Sequence, residues 1–283
     1  MKEMEPPRIQ DFKDRISRQI PIFPNNRETR YHLQSLSLGE LMVHALSWLS
    51  RYVIARPRKV HVPHKVLDHQ KWKENQYRTL PLLRRFQKGE TVIEFLSNEI
   101  KTRGLNLNYN ITNKWKDKDF FLNAMGFHHF HLGNLSEGNH FADRTNEILF
   151  AEVQKKEVSV IGIYDHSVFE SKSEKLSDER RRLWTDFESY RFGKLQPGKF
   201  YLQSMIATSG HPTHVVNLAQ SYTHMIRTID ESLDDQDYLR DFLGIQNENV
   251  NSHFRFDWML HFSDLYLIEK NQKLHILIEE GFN

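Results

Sequence analysis

Three histidines stand close together in the segment GFHHFHLG, which spans residues 126–133. His128, His129 and His131 are interleaved with Phe130 and a leucine, and this alternation predicts a β-strand. Successive side chains of a strand point to opposite faces, so we expect His129 and His131 to share one face. With Phe130 on the core side, they should point into an open surface or a cleft. Pairs of imidazoles serve as metal ligands or as proton-transfer groups near neutral pH. This segment is therefore the leading candidate for a chemical site.

An arginine and a further histidine follow at the ends of two predicted neighbouring strands. Arg144 comes just before the β-rich segment EILFAEV, and His166 follows Asp165 at the end of VSVIGIYDH. Metal-free RNA cleavage needs a base for the ribose 2′-OH, an acid for the leaving 5′-oxygen and a cation for the charged phosphorane. We assign His129 or His131 as the base. His166 then serves as the acid and Arg144 as the phosphate clamp, and this chemistry needs no metal and no cofactor.

The middle of the chain resembles a recurrent bacterial family. DFFLNAMGFHHFHLG, RTNEILFAEV and VIGIYDHSVF are together similar to its pattern GxHHxHLG…R…LLFA…H. The layout, a helix and then a compact antiparallel sheet with His and Arg on its strands, is also similar to the barnase–EndoU–RelE class of ribonucleases. That class includes many toxins of toxin–antitoxin and phage-defence systems, so the resemblance implies an RNA substrate and an antitoxin or effector protein as partner. It covers about residues 91–170, and the chain departs from the class in its long additional regions at both ends.

Three other segments carry groups that could contact the phosphates of RNA. RYVIARPRKVHVPHKVL and ERRR, at 179–182, are rich in basic side chains, which bind phosphate backbones. ATSGHPTHVV places a serine and a histidine at the start of an apolar-periodic helix, and helix N-termini hold anions. The predicted substrate-binding residues are Arg56, Arg58, Lys59, Ser209 and His211. The simpler interpretations are a solvated basic surface and an ordinary helix cap.

Hydrophobic periodicity predicts an α+β fold, with a small and mainly antiparallel sheet in the middle of the chain flanked by helices. We expect helices in SLSLGELMVHALSWLSRYV, where Ser37 and Glu40 fit a capping box, in ETVIEFLSNEIKTRG and in HVVNLAQSYTHMIRTIDESL. QKKE is expected to join EILFAEV and VSVIGIYDH as a hairpin, and the alternation on both sides of KNQK predicts a closing hairpin.

Three regions follow from this pattern. Residues 1–90 form an N-terminal helical region that opens with a polar, proline-containing lead-in. Residues 91–170 form an α+β core that carries the candidate catalytic residues. Residues 171–283 form a C-terminal helical region that ends in the closing hairpin.

Composition limits the classes of function. The 283-residue chain is 39% hydrophobic and 12% aromatic, which is typical of a folded protein. Its 39 basic and 37 acidic side chains give a formal net charge of +2, so bulk charge indicates no particular partner. The absence of cysteine excludes disulfides, thiolate zinc sites and a cysteine nucleophile. There is no signal-like apolar segment and no apolar run long enough for a bilayer, so we predict a cytoplasmic protein without membrane association.

The sequence leaves three classes of function open. The first is a metal-independent endoribonuclease, in the role of a toxin or a phage-defence effector. The second is a metal-dependent hydrolase or nuclease, whose metal would be bound by the two same-face histidines together with Asp165 or His166. The third is a non-enzymatic nucleic-acid or protein-binding module, in which the histidines are structural. We predict the first class.

Overall fold

The computed structural model describes residues 5–107, 117–134, 141–143, 145–172, 175–193, 195–201, 203, 205–244, 254–271 and 273–282. The α-helices are α1 (Pro7–Gln19), α2 (Arg27–Ser35), α3 (Leu38–Leu49), α4 (His64–Asp68), α5 (Gln70–Lys88), α6 (Phe120–Met125), α7 (Asp178–Phe192), α8 (Thr213–Asp230) and α9 (Gln236–Leu243). The strands are β1 (Ile22–Phe23), β2 (Lys59–His61), β3 (Leu105–Asn106), β4 (His128–His131), β5 (Glu147–Val153), β6 (Glu157–Asp165), β7 (Ser171–Lys172), β8 (Lys175–Leu176), β9 (Phe256–His261), β10 (Asp264–Glu269) and β11 (Leu274–Glu279). Short 3₁₀ helices span Ile93–Phe95, Asn98–Lys101 and His166–Phe169.

The largest sheet has four strands in the order β2-β6-β5-β4. The β4–β5 and β5–β6 pairs are antiparallel, whereas β2 runs parallel to β6. A second sheet, β11-β10-β9, is antiparallel, and shorter pairs join β1 to β3 and β7 to β8. The predicted α+β class with a mainly antiparallel central sheet is confirmed, as are the hairpin at QKKE and the closing hairpin. None of the helices in the described part of the chain has both the length and the apolar character needed to cross a membrane.

The chain divides into two compact units, each drawn from separate segments. Unit 1 contains Met1–Ser50, Lys101–Asp117 and Ala207–Asn283, and unit 2 contains Arg51–Ile100 and Lys118–Ile206. The predicted regions 1–90, 91–170 and 171–283 are stretches of sequence and differ from these two units, because each unit joins segments that lie far apart in the chain. The candidate catalytic strand β4 belongs to unit 2.

In unit 2 the four-stranded sheet is covered on both faces. Phe130, Leu149 and Val160 lie in the core that includes apolar residues of α5. On the other face, Phe150 and Ile161 lie in the core that α6 and α7 complete. This opposition follows from strand geometry, because neighbouring residues of one strand point to opposite faces. Any chemical group on the second face therefore lies on the α6–α7 side of the sheet.

In unit 1 the helices α1, α3 and α8 pack with the β9–β11 sheet around one core. The capping box of Ser37 and Glu40 is present at the start of α3 and is confirmed. The apolar stripe of α8 is confirmed as well, since Val215, Ala219 and Tyr222 are buried.

Two sequence-based expectations about helices are wrong. The polar lead-in contains α1, whose amphipathic face buries Ile9, Phe12 and Ile16 through a pattern that the surrounding charges obscure. The segment ETVIEFLSNEIKTRG forms two 3₁₀ turns instead of one α-helix. Its apolar residues still enter the core, but the chain turns after Phe95, where Leu96 is extended.

Candidate active site

Strand β4 presents two histidines on the α6–α7 face of the sheet. In the antiparallel register His129 pairs with Phe150 and His131 pairs with Ile148, and both partners belong to the core on that face. Phe130, between the two histidines, belongs to the opposite core. The prediction that His129 and His131 share a face is therefore confirmed, and His128 lies with Phe130 on the other face.

Three imidazole rings lie in one row along the end of the sheet. The ring centroids of His129 and His131 are 6.2 Å apart, and those of His131 and His166 are 5.7 Å apart in a nearly stacked arrangement. The ring of Phe169 contacts both ends of the row, at 5.3 Å from His129 and 5.6 Å from His166. His129, His131 and His166 therefore lie close together. The row is more enclosed than the expected cleft, because His131 is only 7% exposed.

The residue before His166 is the N-cap of the 3₁₀ helix His166–Phe169. The Oδ1 atom of Asp165 accepts a hydrogen bond from the backbone N–H of Ser167 at 3.0 Å, and Oδ2 lies 2.8 Å from Nζ of Lys71. The backbone N–H of Asp165 donates to Oε2 of Glu179 at 3.1 Å. Burial tends to raise the pKa of Asp165, but the hydrogen bonds from Lys71 and Ser167 outweigh it and lower that pKa. Asp165 thus caps this 3₁₀ helix, and its oxygens already have partners.

A carboxylate that the sequence analysis missed lies against the row. Nδ1 of His129 is 3.2 Å from Oδ2 of Asp119, an ion-pair contact in which the N–H is not aligned as a regular hydrogen bond. The other oxygen of Asp119 accepts the backbone N–H of Leu122 at 3.0 Å and caps α6. The available signal was an aspartate at a helix N-cap followed by a glycine stop at Gly126, directly before the histidine strand.

The two partners shift each other's titration. Burial tends to lower the pKa of His129, but the charge of Asp119 outweighs it and, with a smaller effect of Glu99, raises that pKa. Burial tends to raise the pKa of Asp119, but the imidazole of His129 and the backbone N–H of Leu122 outweigh it and lower that pKa. Below the raised pKa of His129, the two groups form an imidazolium–carboxylate pair.

The basic segment ERRR contributes the cation Arg180, which lies on α7. Its guanidinium carbon lies 5.2 Å from the ring centroid of Phe120 and 5.6 Å from that of Phe121. Phe121 in turn contacts Phe169, with 5.5 Å between ring centroids. Within the described residues, the guanidinium of Arg180 makes no ion pair and its shielded Nε has no hydrogen-bond partner. Burial lowers the pKa of Arg180.

Two further residues were considered with the histidine strand in the sequence analysis. Arg144, the predicted phosphate clamp, lies outside the described residues. His128 is 7% exposed and stacks on Phe130 with 6.2 Å between ring centroids.

The basic segment before β2 lies near the first residue of β6, whereas His166 follows the last residue of that strand. Arg58 is buried, and its Nε donates to the carbonyl of Gln154 at 2.8 Å. Its Nη1 donates to the carbonyls of Ile54 at 2.8 Å and Arg56 at 3.3 Å. The prediction that Arg58 binds substrate therefore needs correction, because backbone carbonyls already occupy these donors. Burial, with a smaller effect of the Arg56 charge, lowers the pKa of Arg58 to about 10.

Lys59 and Arg56 are close to Arg58 and far from the histidine row. Lys59 is exposed and begins β2, where it pairs with Glu157, the first residue of β6. β6 is nine residues long, and His166 follows its last residue. At about 3.3 Å per residue, roughly 26 Å of strand separates the two ends. The structure does not bring these predicted phosphate contacts together with the row.

Ser209 and His211 belong to unit 1. Oγ of Ser209 lies 3.1 Å from Nδ1 of His211, whose buried ring contacts His44 at 5.2 Å between centroids. The expectation that Ser209 starts the helix is wrong, because α8 begins at Thr213 and Ser209 lies in the preceding turn. The N-cap residue of α8 is Pro212, and no side chain caps this helix.

The donor atoms do not form a recognisable metal centre in the part of the chain that the structure describes. No group of three or more His, Cys, Asp or Glu side chains there could hold a metal ion. The chain matches no protein-family model, no curated protein and no solved structure. The resemblance to the bacterial GxHHxHLG family and to the barnase–EndoU–RelE layout thus stays a prediction.

Proposed function

We propose that the chain is a metal-independent endoribonuclease. The observation that supports this function is the row of His129, His131 and His166, in which the carboxylate of Asp119 contacts one end. Acid–base cleavage of RNA needs a proton acceptor and a proton donor within reach of one phosphate, and imidazoles can supply both. The row offers a candidate donor, because the carboxylate of Asp119 lies 3.2 Å from His129 and favours the charged form of that imidazole.

The electrostatics favour a division of roles that differs from the sequence-based assignment. His129, whose charged form is favoured by the carboxylate of Asp119, suits the acid that protonates the leaving 5′-oxygen. His166 is more exposed than His131 and suits the base that removes the 2′-OH proton. The 2′-oxygen then attacks phosphorus, the bond from phosphorus to the 5′-oxygen breaks, and the products carry a 2′,3′-cyclic phosphate and a 5′-OH. His131, in ring contact with both, positions them.

A cation for the phosphorane completes the proposal. Arg144 keeps this role by its place in the sequence, just before β5, whose residue Ile148 pairs with His131. The similarity to the barnase–EndoU–RelE class supports a toxin or phage-defence effector that acts on RNA in the cytoplasm. In that setting an antitoxin or effector protein would be its partner.

The activity is tested with a labelled single-stranded RNA in the presence of EDTA. We expect cleavage to 2′,3′-cyclic phosphate ends and no cleavage of DNA with the same base sequence. The His129→Gln and His166→Gln variants should each lose about 10²–10⁴-fold in rate, because each removes one proton-transfer group. His64→Gln is the matched control, since His64 is an exposed histidine of unit 2 on α4.

Two results would contradict the proposal. One is cleavage that requires an added metal, and the other is equal cleavage by wild type and by both variants when all keep the same melting temperature. The biological role has its own test. Expression in a bacterium should arrest growth with the wild-type chain and not with His166→Gln, and equal toxicity of the two would count against a ribonuclease toxin.

A further inference from the structure

We infer that Phe169, Phe120 and Arg180 form a nucleobase-binding subsite beside the histidine row, which takes a base of single-stranded RNA by stacking and its phosphate by charge. The inference rests on the proposed function and extends it, because it assigns how the strand is held next to the reacting phosphate. None of the three residues belongs to the proposed acid–base chemistry.

Phe169 supplies the aromatic surface closest to the row. Its ring touches both His129 and His166, and its inner side packs against Phe121 and Phe150 at 5.5 and 6.4 Å between ring centroids. Even so, 39% of Phe169 is exposed. A ring that packs against the core on one side and is exposed on the other can stack with a nucleobase. Such stacking accepts any base, because each base has a π-face.

Phe120 extends this surface towards Arg180. Phe120 is 45% exposed and contacts Phe121 at 5.5 Å between ring centroids. The guanidinium of Arg180 lies over Phe120 and Phe121. The exposed rings of Phe120 and Phe169 thus both contact Phe121, with a cation at one side and two imidazoles at the other.

Arg180 is an exception among the arginines of α7. Arg181, Arg182 and Arg191 form ion pairs with Asp178, Glu179 and Glu152, respectively. Across the described ranges no carboxylate pairs with Arg180, although burial disfavours its charge. A partly desolvated, unpaired guanidinium is costly unless an anion binds it. A phosphate group supplies that anion, and the adjoining exposed rings favour one attached to a base.

Binding is measured separately from cleavage with a fluorescent 2′-O-methyl oligonucleotide, which lacks the attacking 2′-OH. The variants are Phe169→Ala, Phe120→Ala and Arg180→Gln, and Phe169→Leu keeps an apolar side chain without a π-face. Tyr77→Ala and Arg78→Gln are matched controls. Tyr77 is 64% exposed with Arg78 over its ring at 5.1 Å, and both lie on α5, which packs against the opposite face of the sheet.

We expect each phenylalanine variant, including Phe169→Leu, to weaken binding by about 5- to 150-fold. An oligonucleotide made of abasic sites should bind wild type and these variants alike. Arg180→Gln should lower the slope of log affinity against log salt by about 1, because one phosphate contact is lost. The Tyr77 and Arg78 variants should bind as wild type does.

Unchanged affinity in the folded Phe169 and Phe120 variants would overturn the subsite, and so would an equal loss in the Tyr77 control. This outcome differs from failure of the proposed function. If wild type binds the oligonucleotide through these residues but does not cut RNA, the subsite stands and the ribonuclease proposal fails. If the wild type cuts RNA in EDTA but the variants bind the oligonucleotide as tightly as it does, the ribonuclease proposal stands and the subsite fails.

Discussion

The two ends of β6 carry cationic groups that the sequence presents as equivalent, and the fold uses them in opposite ways. At the first end, the guanidinium of Arg58 donates to the carbonyls of Gln154, Ile54 and Arg56. At the second end, Arg180 has aromatic rings around it and no carboxylate or carbonyl partner among the described residues. The capacity to bind an anion thus depends on which N–H groups remain available and not on how many basic residues a segment contains.

The pKa shifts of the cationic groups also differ between the two ends of β6. Burial lowers the pKa of Arg58 to about 10, and neutral carbonyls stabilise its charge. At the other end the carboxylate of Asp119 raises the pKa of His129 against the effect of burial. One cation is fixed in the scaffold, whereas the other is a group that can exchange a proton near neutral pH.

The largest expected effect is a loss of stability when Arg58, at the first end of β6, is replaced. Arg58→Gln should lower the free energy of unfolding by about 2–5 kcal/mol, because several charge-assisted hydrogen bonds to buried carbonyls are lost. This corresponds to a decrease of roughly 5–15 °C in melting temperature, measured by calorimetry. Lys59→Gln, the neighbouring exposed cation, is the control and should leave it unchanged. A stable Arg58→Gln chain with weakened RNA binding would reverse the comparison.

The next effect is on the charge pair at the histidine end. Asn caps a helix as well as Asp does, so Asp119→Asn keeps the cap of α6 and removes only the charge beside His129. We expect a loss of about 1–2 kcal/mol in the free energy of unfolding near pH 5.5. The pKa of His129 should also decrease, as followed by nuclear magnetic resonance of its ring protons.

The sign of the pH dependence follows from the two shifts. His129 has a raised pKa, so its stabilisation is complete below its unfolded value of about 6.5 and is lost as the pH rises through the folded value. Asp119 has a lowered pKa, so its stabilisation is present above about 3.9 and is lost as the pH falls through the folded value. Denaturant unfolding should therefore show a larger difference between wild type and Asp119→Asn at pH 5.5 than at pH 8.5. An equal difference at both values would contradict the ion pair.

The smallest expected effect sharpens the comparison of the two arginines. Arg180→Gln should change the free energy of unfolding by less than about 0.5 kcal/mol, since the guanidinium makes no hydrogen bond or ion pair with any described residue that the substitution would remove. Denaturant unfolding beside Arg58→Gln gives the direct measurement. A loss as large as that of Arg58→Gln would mean that Arg180 is a structural residue as well.

Alternation predicted the histidine face because period-2 patterning is a local property. The strand β4, the face shared by His129 and His131, and the hairpin that brings His166 beside them all follow from residues near each other in sequence. Asp119 was missed because its role depends on a helix stop at Gly126 that turns the chain back towards the strand. The segment ERRR was predicted as a possible phosphate contact, but the position of Arg180 near the histidine row was not, because α7 reaches this place through packing on the sheet, which no local pattern encodes.

The failures at Arg58 and at α1 have a different cause. A basic residue next to prolines looks like solvated surface, and only the tertiary fold shows that carbonyls converge on the guanidinium. In α1 the charged residues are numerous enough to hide an apolar stripe whose partners come from much later in the chain. The amino-acid pattern therefore predicts which side chains share a face more reliably than it predicts which groups are left without partners.

The interleaving of the two units has a consequence for synthesis. Domains generally fold as units in the order in which the ribosome delivers them. Here the helix α3 is made early, yet its apolar face belongs to a core that needs α8 and the β9–β11 sheet from Ala207–Asn283. Unit 2 has all its residues once Ile206 has emerged, so it can fold while α3 still waits for its partners. The helices of Met1–Ser50 are thus separated from the segments that complete their core by the whole of unit 2 in the order of synthesis.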